Sequence, residues 1–193
     1  MLRWEDIAGH DAAKTMLQNM LAAGRTPHAL LFAGPAGIGK MLVARVLAAG
    51  LLCGAGAEKP CGRCQSCRLI AQGAHPDCIV LADDGTSLKI DQIRDLQRQA
   101  ALAPYFGAGR VLIIEGAERF TAQAANSLLK TLEEPPAGTV FILTASSPHA
   151  LLATIVSRCR VFSFRPLAVG ILAGLLAARG ENAARADVAA RLA

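Results

Sequence analysis

The octapeptide GPAGIGKM, residues 34–41, follows directly on the apolar run HALLFA (His28–Ala33) and leads into Lys40–Leu52, where apolar residues recur at helical spacing. Strand, glycine loop and helix in that order leave the chain few options. The backbone turns tightly at Gly34, Gly37 and Gly39, and the turn brings successive N–H groups and the positive end of the following helix to one point. An anion fits there, and Lys40 adds a charge able to reach the outer phosphates of a nucleotide. The pattern G-x-x-x-x-G-K ordinarily continues with Ser or Thr, whose hydroxyl ligates magnesium. Here Met41 stands in that place, and its soft thioether is a poor ligand for a hard cation.

Further apolar runs at Asp77–Leu81, Val111–Ile114, Thr139–Thr144 and Arg160–Phe164 read as strands. The intervening segments Ile90–Leu102, Ala122–Glu134 and Pro148–Val156 read as helices, as does Asp11 to about Leu21, with Asp11 placed to cap its start. Strands alternating with helices predict an α/β domain, a parallel sheet with helices on both faces. The near-continuous apolar character of the strands fits burial on both sides.

An acidic pair is expected at the end of a later strand in a nucleotide-hydrolysing site of this type, one member for magnesium and one to activate water. The matching stretch is RVLIIEGAERF, where Glu115 holds the first place and Gly116 the second. Glu118 lies nearby in sequence, but a helix starting here is expected to point it away. Losing a general base costs about 10²–10⁴ in rate, so hydrolysis is expected to be negligible and magnesium poorly held, while retention of ATP or ADP stays open.

The 193 residues suffice for one domain and the beginning of another, and 53% hydrophobic against 4% aromatic residues implies a core of Leu, Ala, Val and Ile. A net charge of +5, scattered along the chain, permits a polyanionic partner without demanding one. The start MLRWEDIAGHD lacks a signal-type apolar segment, and the longest oily run, Met41–Cys53, is too short to span a bilayer. A cytoplasmic protein without membrane partners is expected. Four of the six cysteines fall in CGAGAEKPCGRCQSC as C-x7-C-x2-C-x2-C. Cys53, Cys61, Cys64 and Cys67 can complete a tetrahedral zinc shell with no position left for water, so the expected role is structural. Arg63 and Arg68 are basic and close by, but no aromatic interleaves them to stack on bases. Cys78 and Cys159 read as core thiols, and the histidines as structural or exposed groups.

The loop, the four-cysteine insert, NSLLKTLEEPP (Asn126–Pro136) and TIVSRCR (Thr154–Arg160), in that order, resemble the AAA+ subunits of the bacterial replicative clamp loader, the machine that places a sliding clamp on primed DNA. The resemblance runs from about Trp4 to Pro166, and within it the decayed hydrolytic residues and AHPD (Ala74–Asp77) favour the delta-prime subunit over gamma/tau. It implies the AAA+ P-loop NTPase fold and places WEDIAGH (Trp4–His10) near an adenine pocket. It also puts Thr144 at the sensor-1 position and Arg158 at the position of an arginine finger reaching a neighbour's ATP. The implied partners are the gamma/tau and delta subunits, the sliding clamp and, through the complex, primed DNA.

The expected division is a P-loop domain over residues 1–165, with its zinc module at 53–67, and the beginning of a helical lid over 166–193, with no collar domain following. Two other readings of the residues stand beside the leading one. One is an active gamma/tau-like ATPase in which Glu115 or Glu118 replaces the lost groups. The other is a DNA-binding module built on the zinc knuckle.

Overall fold

A computed structural model describes residues 2–178 except 57, 83–84 and 107–108. Five parallel strands make one sheet: β1 (Ala29–Ala33), β2 (Cys78–Leu81), β3 (Arg110–Ile114), β4 (Thr139–Ala145) and β5 (Arg160–Ser163), in the spatial order β2-β3-β4-β1-β5. The central strands β1 and β3 are buried at every residue, whereas the edge strands β2 and β5 are only partly covered. The helices are α1 (Asp11–Ala22), α2 (Lys40–Leu51), α3 (Gln65–Ala71), α4 (Ile90–Ala100), α5 (Ala122–Glu133), α6 (Ala153–Val156) and α7 (Val169–Ala178). Among the described residues no helix is long and apolar enough to cross a membrane.

The core forms in two layers because side chains alternate across the sheet. Leu30 and Phe32 of β1 face one layer with Val43, Val46 and Leu47 of α2 and Leu17 of α1. Leu31 of β1 faces the other with Ile93 and Leu96 of α4 and Leu128 and Leu132 of α5. Leu129, expected to point inward with these, is partly buried at the edge of the second layer.

Several boundaries differ from the sequence reading. Asp11 does not cap α1: His10 occupies the cap position with a left-handed backbone (φ 55°), and Asp11, one residue inside, pairs with Lys14 at 2.8 Å. The expected helix Pro148–Val156 divides into a 3₁₀ turn, Pro148–Ala150, and the short α6, because Leu151 is extended and Leu152 (ψ 132°) also leaves the helical region. α4 ends at Ala100, two residues early, and α3 was not expected at all.

Asp77, read as the first residue of β2, precedes it and is fully buried. Its carboxylate accepts the backbone N–H groups of Tyr105 and Phe106 at 2.7 and 2.8 Å and faces the Arg110 guanidinium at 3.3 Å. Arg110 in turn donates to the carbonyls of Gln99 and Ala103. A buried ion pair costs solvation that these added bonds offset, and the result pins the segment after α4 to the start of the sheet. Of the segment from residue 166 onward, expected to begin a lid, α7 is described, and 179–193 lie outside the described residues.

Candidate functional site

At the C-terminal ends of the strands the loop between β1 and α2 closes one side of a cavity of about 320 Å³. Its geometry requires the glycines in two ways. A Cβ at Gly34 would lie 2.2 Å from the Phe164 carbonyl oxygen, and Gly37 and Gly39 have φ of 76° and 98°, where L side chains are strained. Gly39 is the residue before α2, so the open N–H groups of the first helical turn point toward the cavity. The Lys40 ammonium donates to the carbonyls of Gly34 and Pro35, each at 2.6 Å, and so bridges the loop. Partial burial lowers the Lys40 pKa from its ordinary value, while the carboxylates of Glu118 and Glu115 oppose that shift.

Gly37, Gly39, Lys40, Glu115 and Thr144 all line this cavity, as the sequence led us to expect, and Met41 lines it too. Gly34 sits behind the loop against Phe164. Thr144, on buried β4, accepts the Gly116 N–H at 3.3 Å, which ties the end of β3 to the neighbouring strand. Glu118 is a correction. Gly116 adopts φ 67° and starts a 3₁₀ turn, Ala117–Arg119, that brings Glu118 into the cavity rather than away from it. One Glu118 oxygen accepts the Ser146 N–H at 3.0 Å, and the other is buried without a hydrogen-bond partner. Chemically the cavity offers an ammonium, helix N–H groups, a hydroxyl and two carboxylates, but no hydroxyl at residue 41 and no carboxylate at residue 116.

The segment Trp4–His10 divides between two neighbours. The Trp4 indole donates to the Lys59 carbonyl at 3.0 Å, on the cysteine-rich insert, while the His10 ring meets the Ile38 carbonyl at 2.8 Å and packs edge-on against Phe164. His10 therefore braces the glycine loop. A broad groove of about 1090 Å³ runs between Trp4, the C-terminal end of α1 and the insert.

The insert carries the second site. The sulfurs of Cys53, Cys61, Cys64 and Cys67 all lie within 4.8 Å of one another, with Cys53 and Cys64 at 3.9 Å. Tetrahedral zinc with Zn–S bonds of about 2.3 Å requires sulfurs about 3.8 Å apart, so the four thiols fit a metal ion. Cys53 follows α2, Cys64 caps α3 and Cys67 is buried inside it, so the helices preset three of the four positions. Backbone N–H groups support the sulfurs, from Ala55 to Cys53, from Cys64 to Cys61 and from Cys67 to Cys64, at 3.4–3.5 Å. The N–H groups of Arg63 and Cys64 bring the Cys61 thiol down to about 6, whereas burial pushes the Cys67 thiol up. A bound dication deprotonates a coordinating thiol outright and so overrides that upward push.

Arg158 lies apart from both sites, just after α6, and does not line the loop cavity. Its guanidinium donates to the Thr154 carbonyl at 2.8 Å and to the Glu133 carboxylate at 2.5 Å. Cys78 and Cys159 have thiols pushed up to about 11 by burial, as expected of core cysteines. His75, read as structural or exposed, is buried, and its Nδ1 accepts the Asp77 N–H at 3.0 Å.

A parallel sheet in this strand order, with a glycine-lysine loop after its inner strand and polar groups at the strand ends, defines the AAA+ class of P-loop proteins. Solved structures agree on the fold. The RuvB Holliday junction branch migration motor of Thermotoga maritima matches with a TM-score of 0.62 at 17% identity, covering 98% of this chain and 58% of that one. A DNA polymerase III gamma subunit-related protein of the same organism matches with a TM-score of 0.54 at 22% identity, covering 77% of this chain and 45% of that one.

Within the class, residues 9–168 match the family described as DNA polymerase III, delta subunit. The chain belongs to this family of clamp-loader AAA+ proteins. It is 41% identical over 152 residues to DNA polymerase III subunit delta' of Bacillus subtilis, covering 79% of this chain and 46% of the relative. It is 45% identical over 135 residues to the delta' subunit of Pseudomonas aeruginosa, covering 68% and 41%. It is also 41% identical over 165 residues to the tau subunit of Escherichia coli, covering 85% and 26%. Delta' and tau relatives are thus matched at similar identity, and the chain spans less than half the length of each.

Proposed function

We propose that this chain serves as a delta-prime-like subunit of the bacterial DNA polymerase III clamp loader, in which it hydrolyses no nucleotide itself and presents Arg158 to a neighbouring subunit's ATP. The observation that carries this reading is the composition of the loop cavity. Lys40 and the loop are in place, but Met41 and Gly116 stand where a magnesium ligand and a water-activating carboxylate belong. An AAA+ subunit in this condition can brace an assembly and lend a cation without burning fuel of its own. A guanidinium supplied in trans stabilises the charge that develops on a transferring phosphoryl group. In this reading the four cysteines hold structural zinc, ATP or ADP rests on the loop, and residues 1–165 and 166–193 are the P-loop domain and the start of the lid. The partners are the gamma/tau and delta subunits, the sliding clamp and primed DNA, in the cytoplasm.

The test is Arg158→Ala in a loader assembled from this chain with its gamma/tau and delta partners. Arginine fingers are worth about 10³–10⁵ at a single site. Because other sites in an assembly keep working, total clamp-stimulated ATP turnover is expected to fall at least severalfold, with this chain's thermal unfolding unchanged. Unaltered turnover would remove the assignment.

The position of Glu118 favours a second reading, a slow ATPase in which this carboxylate orients water. Phosphate release by the pure chain, abolished by both Lys40→Ala and Glu118→Gln, would support it instead.

A further inference from the structure

We infer that Glu133 is the positioning residue for Arg158, setting the direction in which the guanidinium is offered to a partner. The inference rests on the proposed role of Arg158 and extends it to a residue of another helix.

Glu133 is the last residue of α5, two positions before Pro135–Pro136, which ends the helix. Its carboxylate meets Arg158 Nη2 at 2.5 Å across 25 residues of sequence. On the other side, Arg158 Nη1 donates to the Thr154 carbonyl of α6 at 2.8 Å and approaches the Ser157 hydroxyl at 3.4 Å. The guanidinium therefore rests between the C-terminal end of α5, where a cation is favoured, and the single turn of α6. A guanidinium is a rigid plane with five N–H donors. Two fixed acceptors on different helices restrict its orientation, and the three bonds use three of its five N–H donors.

The burial of the pair matters as much as its distance. The Arg158 and Glu133 side chains retain 33% and 48% of their exposure. A pair this exposed contributes little to stability, so the contact has little effect on folding and a direct effect on aim. A long side chain loses rotamer freedom when it engages a ligand, and holding it beforehand removes part of that cost from the catalytic step. α5 packs its opposite face into the core through Leu128 and Leu132, so the carboxylate is anchored to the sheet and not to a loose loop.

The experiment uses the assembled loader, with ATP turnover in the presence of clamp and primed DNA as the readout. Glu133→Ala should lower kcat about threefold to tenfold, Glu133→Gln less, since it keeps a hydrogen bond, and Glu133→Asp should fall between the parent and the alanine variant. KM for ATP should stay within about twofold, because Glu133 belongs to the subunit that lends the arginine. The deciding arm is the double variant. Arg158→Ala with Glu133→Ala should be no slower than Arg158→Ala alone, since Glu133 acts only through that arginine.

If Arg158→Ala lowers turnover and Glu133→Ala does not, positioning by Glu133 is overturned while the role of Arg158 stands. A rise in turnover with Glu133→Ala also overturns it, because Glu133 would then be restraining the arginine. Full additivity in the double variant overturns it as well, pointing to a separate structural effect. If Arg158→Ala itself changes nothing, the proposed function falls and the inference falls with it.

Discussion

The glycine loop and the cysteine knuckle both lie in segments that flank α2, yet they meet their chemistry in opposite ways. In the knuckle, every group a tetrahedral metal needs is present: four sulfurs within 4.8 Å of one another and backbone N–H groups behind them. In the loop cavity the glycine turn and Lys40 are in place, but Met41 offers no hydroxyl and Gly116 no carboxylate. The difference separates architecture from reaction. A structural site fails as a unit when one ligand is lost, because the metal contributes folding energy outright. A nucleotide cradle keeps its backbone shape after its reactive side chains are gone, because glycines and a helix end make it.

The knuckle should therefore show the largest response to substitution. Cys64→Ala, or metal removal by a chelator, is expected to lower Tm by about 10 °C, the equivalent of about 3 kcal/mol in a chain of this size. Metal content measured by elemental analysis should drop from one ion per chain toward none. A chain that unfolds at the same temperature with and without metal would erase the contrast drawn here.

Lys40→Ala should do the reverse. The exchange removes the loop-bridging ammonium and is expected to weaken binding of fluorescently labelled ADP at least tenfold, in keeping with a lost charge-assisted contact. Tm should move by no more than a few degrees, since one partly desolvated charge leaves with its bonds. A stability loss as large as that of Cys64→Ala would mean that the loop too is a structural staple.

The smallest effect is expected from Met41→Thr, which sharpens the comparison by restoring a single missing group. A hydroxyl beside Lys40 should strengthen magnesium-dependent nucleotide binding about threefold, because hard oxygens suit that ion. Phosphate release should stay at background, since residue 116 still lacks a carboxylate. Brisk turnover by this variant would show that Glu118 supplies the base.

The strands were legible because buried parallel strands leave an apolar run that few other elements leave. Each of the five appears within two residues of its expected position. The cysteine cluster was equally plain, because x2 spacings keep Cys61, Cys64 and Cys67 close along the chain, while Cys53 is brought to them by the end of α2. Glu118 was misread for a local reason: the left-handed Gly116 begins a 3₁₀ turn instead of a regular helix, which rotates the third residue into the cavity. Asp77 gave no sign of its partners, since Arg110 is 33 residues away and the backbone groups of Tyr105 and Phe106 carry no sequence signature. His10 was read as structural, but its hold on the loop through Ile38 could not be seen across 28 residues.

By itself the sequence determined what lies close along the chain: the glycine turn, the metal-ligand spacing, the apolar strands, and the absence of a hydroxyl at residue 41 and a carboxylate at residue 116. Those features depend on residue type and on separations of a few residues, over which backbone geometry is nearly fixed. Only the tertiary structure decided which carboxylate faces Lys40, which acid is buried with Arg110, and that Glu133 grips Arg158. Each of these joins groups on different elements, and their distance depends on how helices seat on the sheet, a sum of many weak contacts that no short stretch of chain records.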